Sequence, residues 1–156
     1  MITARRFETA DAQAVSALII TTLRTSNIKD YGPEHIENEC KLFTPEKVLE
    51  RAGWTHFYVF CEGAKIVGCG AIGPYWGKED ESSLFNIFVL PEYQGKGVGR
   101  TIIKTLEGDE YALRAKRIEI PASITGRDFY RKMGYAYKNG FDAPDQEQLY
   151  RLEKFR

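Results

Sequence analysis

Hydrophobic spacing divides this chain into stretches with the period of a strand and stretches with the period of a helix. Residues 2–8, ITARRFE, read as a short first strand. A helix is predicted from about Thr9, with Val15, Leu18, Ile19 and Leu23 along one face, Thr9 as N-cap and Asp11 in the first turn. A loop, SNIKDYGP, leads to a helical region in two pieces. The second piece opens at Thr44-Pro45, a cap followed by proline at the first helical position, and stops at Gly53. The period then shortens. THFYVFCE and KIVGCGAIGPYW are β-rich runs joined through EGAK, a hairpin with Gly63 in its turn. KEDESS reads as a solvated polar connection, and SLFNIFVL as a strand covered on both faces.

Val98, Ile102, Ile103 and Leu106 then mark one face of a further helix. KRIEIPAS is a strand, and TGRDFYRKMG a short helix from Thr125 as N-cap to Gly134 as C-cap. YAYKNG and QLYRLEKF close the chain as strands around a polar loop. The order β-α-α-β-β-β-α-β-α-β-β, without repeats or a linker, predicts one mixed-sheet α/β domain over residues 1–156.

The least ordinary stretch is residues 89–106, VLPEYQGKGVGRTIIKTL, where Gly95, Gly97 and Gly99 alternate just before the helix. The first turn of a helix has unpaired N–H groups and the positive end of the macrodipole. Removing side chains there lets phosphate oxygens approach bare backbone, with Lys96 and Arg100 adding charge at the rim. A dinucleotide fingerprint fails on spacing, because its third glycine falls on Arg100. A Walker A loop fails too, since Leu90 stands at its first glycine and Gly97 follows the lysine.

Composition narrows the options. Lys plus Arg and Asp plus Glu balance at 22 each, which argues against a general nucleic-acid binder and a polybasic membrane surface. No apolar run has the length of a membrane span and no secretory core precedes the first strand, so a cytoplasmic protein is expected. Cys40, Cys61 and Cys69 lack metal or disulfide spacing and read as small buried hydrophobes; His35 and His56 stand alone, and no metal is expected.

FVLPEYQGKGVGRTII resembles the acetyl-CoA-binding segment of the GNAT superfamily of N-acetyltransferases, V-x-P-[DE]-[YWH]-[QR]-[GR]-x-G-[IVL]-G. Val89, Pro91, Glu92, Tyr93, Gln94, Gly95, Gly97, Val98 and Gly99 match. DFYRKMGY, residues 128–135, looks like the second signature of that family, and the order of elements agrees along nearly the whole chain. The resemblance implies a mixed central sheet splayed between its fourth and fifth strands and flanked by helices. Backbone amides from Gln94 to Gly99 would hold a pyrophosphate, with Lys96, Val98 and Arg100 in the same segment. Phe88, Val89 and Leu90 would pair with the pantetheine arm, and Pro121 on the next strand is consistent with an unpaired edge. Ser123 stands where the family often has asparagine against the CoA arm.

The implied reaction is direct transfer of acetyl from acetyl-CoA to a primary amine of a small molecule or peptide. The Val89 amide would face the thioester carbonyl, and Tyr130 would protonate the departing sulfur. Many members carry a glutamate on the strand before the glycines as general base. Here Phe85 and Asn86 occupy that region, which leaves Glu79, Asp80, Glu81, Glu119 or a water chain as alternatives. The acceptor side maps to Asp30, Tyr31 and His35, to Tyr75 and Trp76, and to Phe141, Asp142 and Asp145. A second reading keeps the fold but makes it an acyl-CoA-binding sensor. Monomer and homodimer both stay open.

Overall fold

The computed structural model describes residues Met1–Arg156. In chain order the elements are β1 (Ile2–Arg6), α1 (Ala12–Thr25), α2 (Pro33–Cys40), α3 (Pro45–Ala52), β2 (His56–Glu62), β3 (Lys65–Tyr75), β4 (Lys78–Val89), α4 (Val98–Glu107), α5 (Glu110–Leu113), β5 (Arg117–Ala122), α6 (Arg127–Lys132), β6 (Ala136–Tyr137) and β7 (Tyr150–Phe155). The strands form one seven-stranded sheet in the order β1-β2-β3-β4-β5-β7-β6, antiparallel throughout except between β4 and β5. No helix is long and apolar enough to cross a membrane.

One face of the sheet is covered by α1, α2 and α3, whose Val15, Leu18, Ile19, Ile36 and Val48 pack on Phe57, Val59, Cys69 and Ala71. The other face carries α4, whose Ile102, Ile103 and Leu106 are fully buried. Truncating such a residue to alanine costs about 2–5 kcal/mol. Gly70 on β3 supplies the room, since a Cβ there would lie 2.7 Å from an Ile102 methyl.

Several local expectations need correction. KEDESS is not a loop: β4 begins at Lys78, and the hairpin turn falls on Trp76 and Gly77, both with positive φ. Its first residues, Lys78 to Asp80, are exposed, so a polar sequence is compatible with a strand. Glu8 rather than Thr9 precedes the first helical turn, and the Glu8 amide donates to Asp11 Oδ2 at 2.8 Å. Thr44 caps α3 as expected. Thr125 does not cap α6. Its hydroxyl donates to Asp30, and Ser123 Oγ accepts from the Gly126 amide. The short α5 has too few turns to leave a periodic signal.

Two features of the sheet make the functional site. Parallel pairing of β4 with β5 is confined to Glu81–Arg117, Ser82–Ile118 and Ser83–Glu119. Beyond Ser83 the strands part. Against β3, β4 contains one extra residue between Phe85 and Phe88, with Asn86 at φ 55°. Such a bulge bends the strand and sharpens its twist, which carries β4 away from β5 where the cleft opens.

Candidate active site

The opening between β4 and β5 is a cleft of about 760 Å³, within the range of small-molecule sites. On its β4 wall, the Leu90 amide donates to the Val67 carbonyl at 2.9 Å. In the alternating antiparallel ladder, the neighbouring Val89 groups therefore point the other way, into the cleft. The Val89 carbonyl accepts from Gln94 Nε2 at 3.0 Å, while the Val89 amide faces the space left by β5. On the opposite wall, Pro121 pairs with Arg151 on β7 and has no N–H to offer the cleft.

The glycine turn closes one end. Gly95 and Gly97 have φ 74° and 85°, a left-handed region that favours glycine, and a Cβ on either would meet nothing within 4 Å. The amides of Gly95 through Arg100 donate to no backbone carbonyl. An open run of unpaired N–H groups at the start of a ten-residue helix suits a pyrophosphate. Gly99 serves differently. Its φ is ordinary, but a Cβ would stand 3.0 Å from the Phe129 ring, so it lets α6 lie against α4.

Tyr130, on α6, lines the cleft and is 8% exposed. Its hydroxyl makes no hydrogen bond to the protein, and the ring rests where a side chain at Gly126 would be, 3.0 Å from that position. Burial, reinforced by the Cys69 thiol, pushes the phenol above its ordinary pKa. It is therefore a proton donor at neutral pH and not a base.

Of the residues singled out from the sequence, Phe88, Val89, Gln94, Gly95, Gly97, Gly99, Arg100, Ser123 and Tyr130 come together around this cleft. Leu90, Lys96 and Val98 do not line it. Lys96 Nζ sits 5.5 Å over the Tyr93 ring, and the Val98 side chain belongs to the core. The Gln94 amide is bonded to the Pro91 carbonyl at 3.2 Å, so the run of available amides starts one residue later than expected. Ser123 spends an oxygen lone pair on capping and keeps its hydroxyl hydrogen.

Tyr31, His35, Tyr75 and Trp76 line the cleft, whereas Asp30, Phe141, Asp142 and Asp145 do not. Tyr31 acts as a bolt: its hydroxyl donates to the Gln148 carbonyl and accepts from the Ile124 amide. Asp142 and Asp145 pair with Arg127 and Arg151. Among the carboxylates considered for the base, Glu79 and Asp80 are exposed away from the cleft and Glu81 pairs with Arg117. Glu119 lines the cleft, but Arg117, Lys138 and Arg151 surround it.

The structure adds residues the sequence did not single out: Glu39 from α2, Arg51 and Trp54 from α3 and its end, and Glu147 and Arg151 from the last segment. Burial raises the Glu39 carboxyl above its ordinary pKa, with His35 partly opposing. His35 Nε2 lies 3.7 Å from Glu39 and its ring stacks on Tyr31 at 4.5 Å. No periodic or motif signal links these positions, because they come from three separate segments of the chain.

Comparison with known proteins agrees with this architecture. Residues 53–137 match the acetyltransferase (GNAT) domain, and the chain belongs to that family of acetyltransferases. It is 27% identical over 146 residues to an amino-acid acetyltransferase of Ralstonia nicotianae, covering 90% of this chain and 32% of the relative. It is 36% identical over 58 residues to a ribosomal protein bS18 alanine N-acetyltransferase of Haemophilus influenzae, covering 36% of this chain and 40% of the relative. The chain thus spans less than half the length of either relative in the matched region. In fold it is similar to the PaiA N-acetyltransferase of Thermoplasma acidophilum, solved in complex with coenzyme A. The TM-score is 0.84 at 17% identity, over 100% of this chain and 99% of that one.

Proposed function

We propose that this chain transfers an acetyl group from acetyl-CoA directly to a primary amine of a small molecule or peptide. The observation that carries the reading is the parting of β4 from β5. It leaves the Val89 amide unpaired between a turn of bare amides and the free hydroxyl of Tyr130. Acetyl-CoA, when bound, supplies the acetyl group as a thioester.

The roles of the residues follow from their chemistry. The amides of Gly95 to Arg100, with the exposed Arg100 guanidinium, hold the pyrophosphate. The Val89 N–H donates to the carbonyl oxygen on which negative charge grows. Tyr130 gives its proton to the departing sulfur. Glu39 with His35 takes the amine proton through water: this carboxylate lines the cleft beside His35, with no arginine or lysine paired to it, and burial, helped by Glu147, moves its pKa towards neutrality. Work in the cytoplasm belongs to the same reading, supported by three free, buried cysteines.

A second reading is an acyl-CoA-binding module without turnover, favoured by the absence of a carboxylate between Leu84 and Leu90. Acetyl transfer to a panel of amines, with N-acetyl products identified by mass, separates the two.

A further inference from the structure

The cleft contains one cation without a counter-charge in its half-buried wall. Arg51, near the C-terminal end of α3, lies beside two rings that meet edge to face, with its guanidinium carbon 5.2 Å from the Trp54 centroid and 4.8 Å from that of Phe85. It donates one hydrogen bond, from Nη1 to Asn86 Oδ1 at 2.9 Å, and no carboxylate comes within 4 Å of it. The other arginines of the cleft differ. Arg151 is paired with Asp145 and Glu147, and Arg100 is exposed beside the glycine turn.

Desolvating a guanidinium is costly unless it is paired. Burial accordingly lowers the Arg51 pKa, with neighbouring Glu50 offsetting part of the effect. Contact with the two rings stabilises the cation but leaves donors of the planar fork unused. A fork held in this way suits a bidentate carboxylate.

Its position identifies which reactant it meets. Asn86, the partner of Arg51, precedes Val89 by three residues, about 10 Å of strand. The glycine turn lies beyond Val89 in the other direction. Arg51 therefore stands on the acceptor side of the reacting carbonyl and away from the pyrophosphate. The bulge at Asn86 serves both ends of this arrangement, since it bends β4 open and turns the side chain that holds the guanidinium.

We infer that Arg51 is an anion anchor for the acceptor, and that the acceptor is a small primary amine carrying its own carboxylate, an amino acid in the chemical sense. This rests on the acetyltransferase reading above. Trp54 and Phe85 form the apolar walls beside the anchor, and Asn86 positions it. A neutral or polycationic amine would leave the guanidinium desolvated and unpaired, which disfavours it.

The test uses the intrinsic fluorescence of Trp54 and Trp76, which both line the cleft and are the two tryptophans of the chain. The full protein is titrated with each of the common amino acids and with the corresponding carboxamides, in wild type, Arg51→Gln and Arg51→Lys. Melting curves establish that the variants fold, and CoA calorimetry on the same samples monitors the donor site separately. The expected result is saturable binding of at least one amino acid, with its carboxamide about 10- to 100-fold weaker. That ratio should collapse towards one in Arg51→Gln and recover in part in Arg51→Lys. Binding of no amino acid, or discrimination that survives in Arg51→Gln, overturns the inference. Acetylation of neutral amines in that case would leave the acetyltransferase reading standing, whereas failure to bind CoA would count against that reading instead.

Discussion

Gly99 and Phe129 pack so closely that a Cβ on Gly99 would lie 3.0 Å from Phe129 Cζ, and the ring would have to give way. The contact joins the first turn of α4 to the residue before Tyr130, so the glycine turn and Tyr130 share one packing interface. Gly99→Ala should destabilise the fold by about 1–3 kcal/mol through overpacking. Adding Phe129→Leu should recover part of the loss. Chemical denaturation of the single and double variants measures it, and additive losses would place the strain elsewhere.

Gly97 carries a different constraint, since the space beside it is open and its φ is 85°. Gly97→Val should weaken CoA binding by ~10-fold or more, because the side chain covers amides otherwise free to reach phosphate. Strain in the left-handed region should remove about 1–2 kcal/mol of stability and leave the protein folded. Calorimetry with CoA decides; unchanged affinity would rule out the turn as the phosphate site.

How much of this could be read from the chain varies with how local the signal is. The alternating glycines specify a backbone conformation within five residues, so the turn itself is legible in the sequence. The packing constraint on Gly99 has no local signal, because its neighbour Phe129 is thirty positions away. The parting of β4 and β5 was implied by family resemblance and by Pro121, yet its physical origin, the bulge at Asn86, has no sequence marker. Arg51 and Glu39 lie on polar faces of separate helices, and only the tertiary fold brings them to one cleft. KEDESS reads as a loop because the exposed start of a strand is solvated and can be as polar as one.

Away from the cleft, Asp109 joins β2 to α5. It accepts from Tyr58 Oη at 2.6 Å and from the Tyr111 amide at 2.9 Å, and sits 2.9 Å from His56 Nδ1. Burial alone would raise its pKa, but these hydrogen bonds outweigh it and hold the carboxyl below the ordinary range. A depressed folded-state pKa contributes stability above the unfolded value, near pH 4, that is lost as pH falls through the folded value. Asp109→Asn should cost about 1–3 kcal/mol at neutral pH, and the gap to wild type should shrink as the pH drops below about 4. Denaturant melts from pH 2 to 7 give the comparison; a constant gap would deny the linkage.

The Tyr130 phenol is held above its ordinary pKa by burial. Turnover should therefore show no basic limb from this group until above about pH 10. A limb at lower pH that vanished in Tyr130→Phe would contradict the acid role. On the acidic side, the raised Glu39 carboxyl should give a limb above the usual glutamate range, lost in Glu39→Gln.

Amine-dependent release of CoA thiol from acetyl-CoA, with the N-acetyl product identified by mass, tests the central claim most directly. Wild type should release thiol in step with product for at least one primary amine. Tyr130→Phe should turn over about 100-fold more slowly with CoA affinity retained. Tight CoA binding with no product from any amine, or equal turnover by Tyr130→Phe, would contradict it.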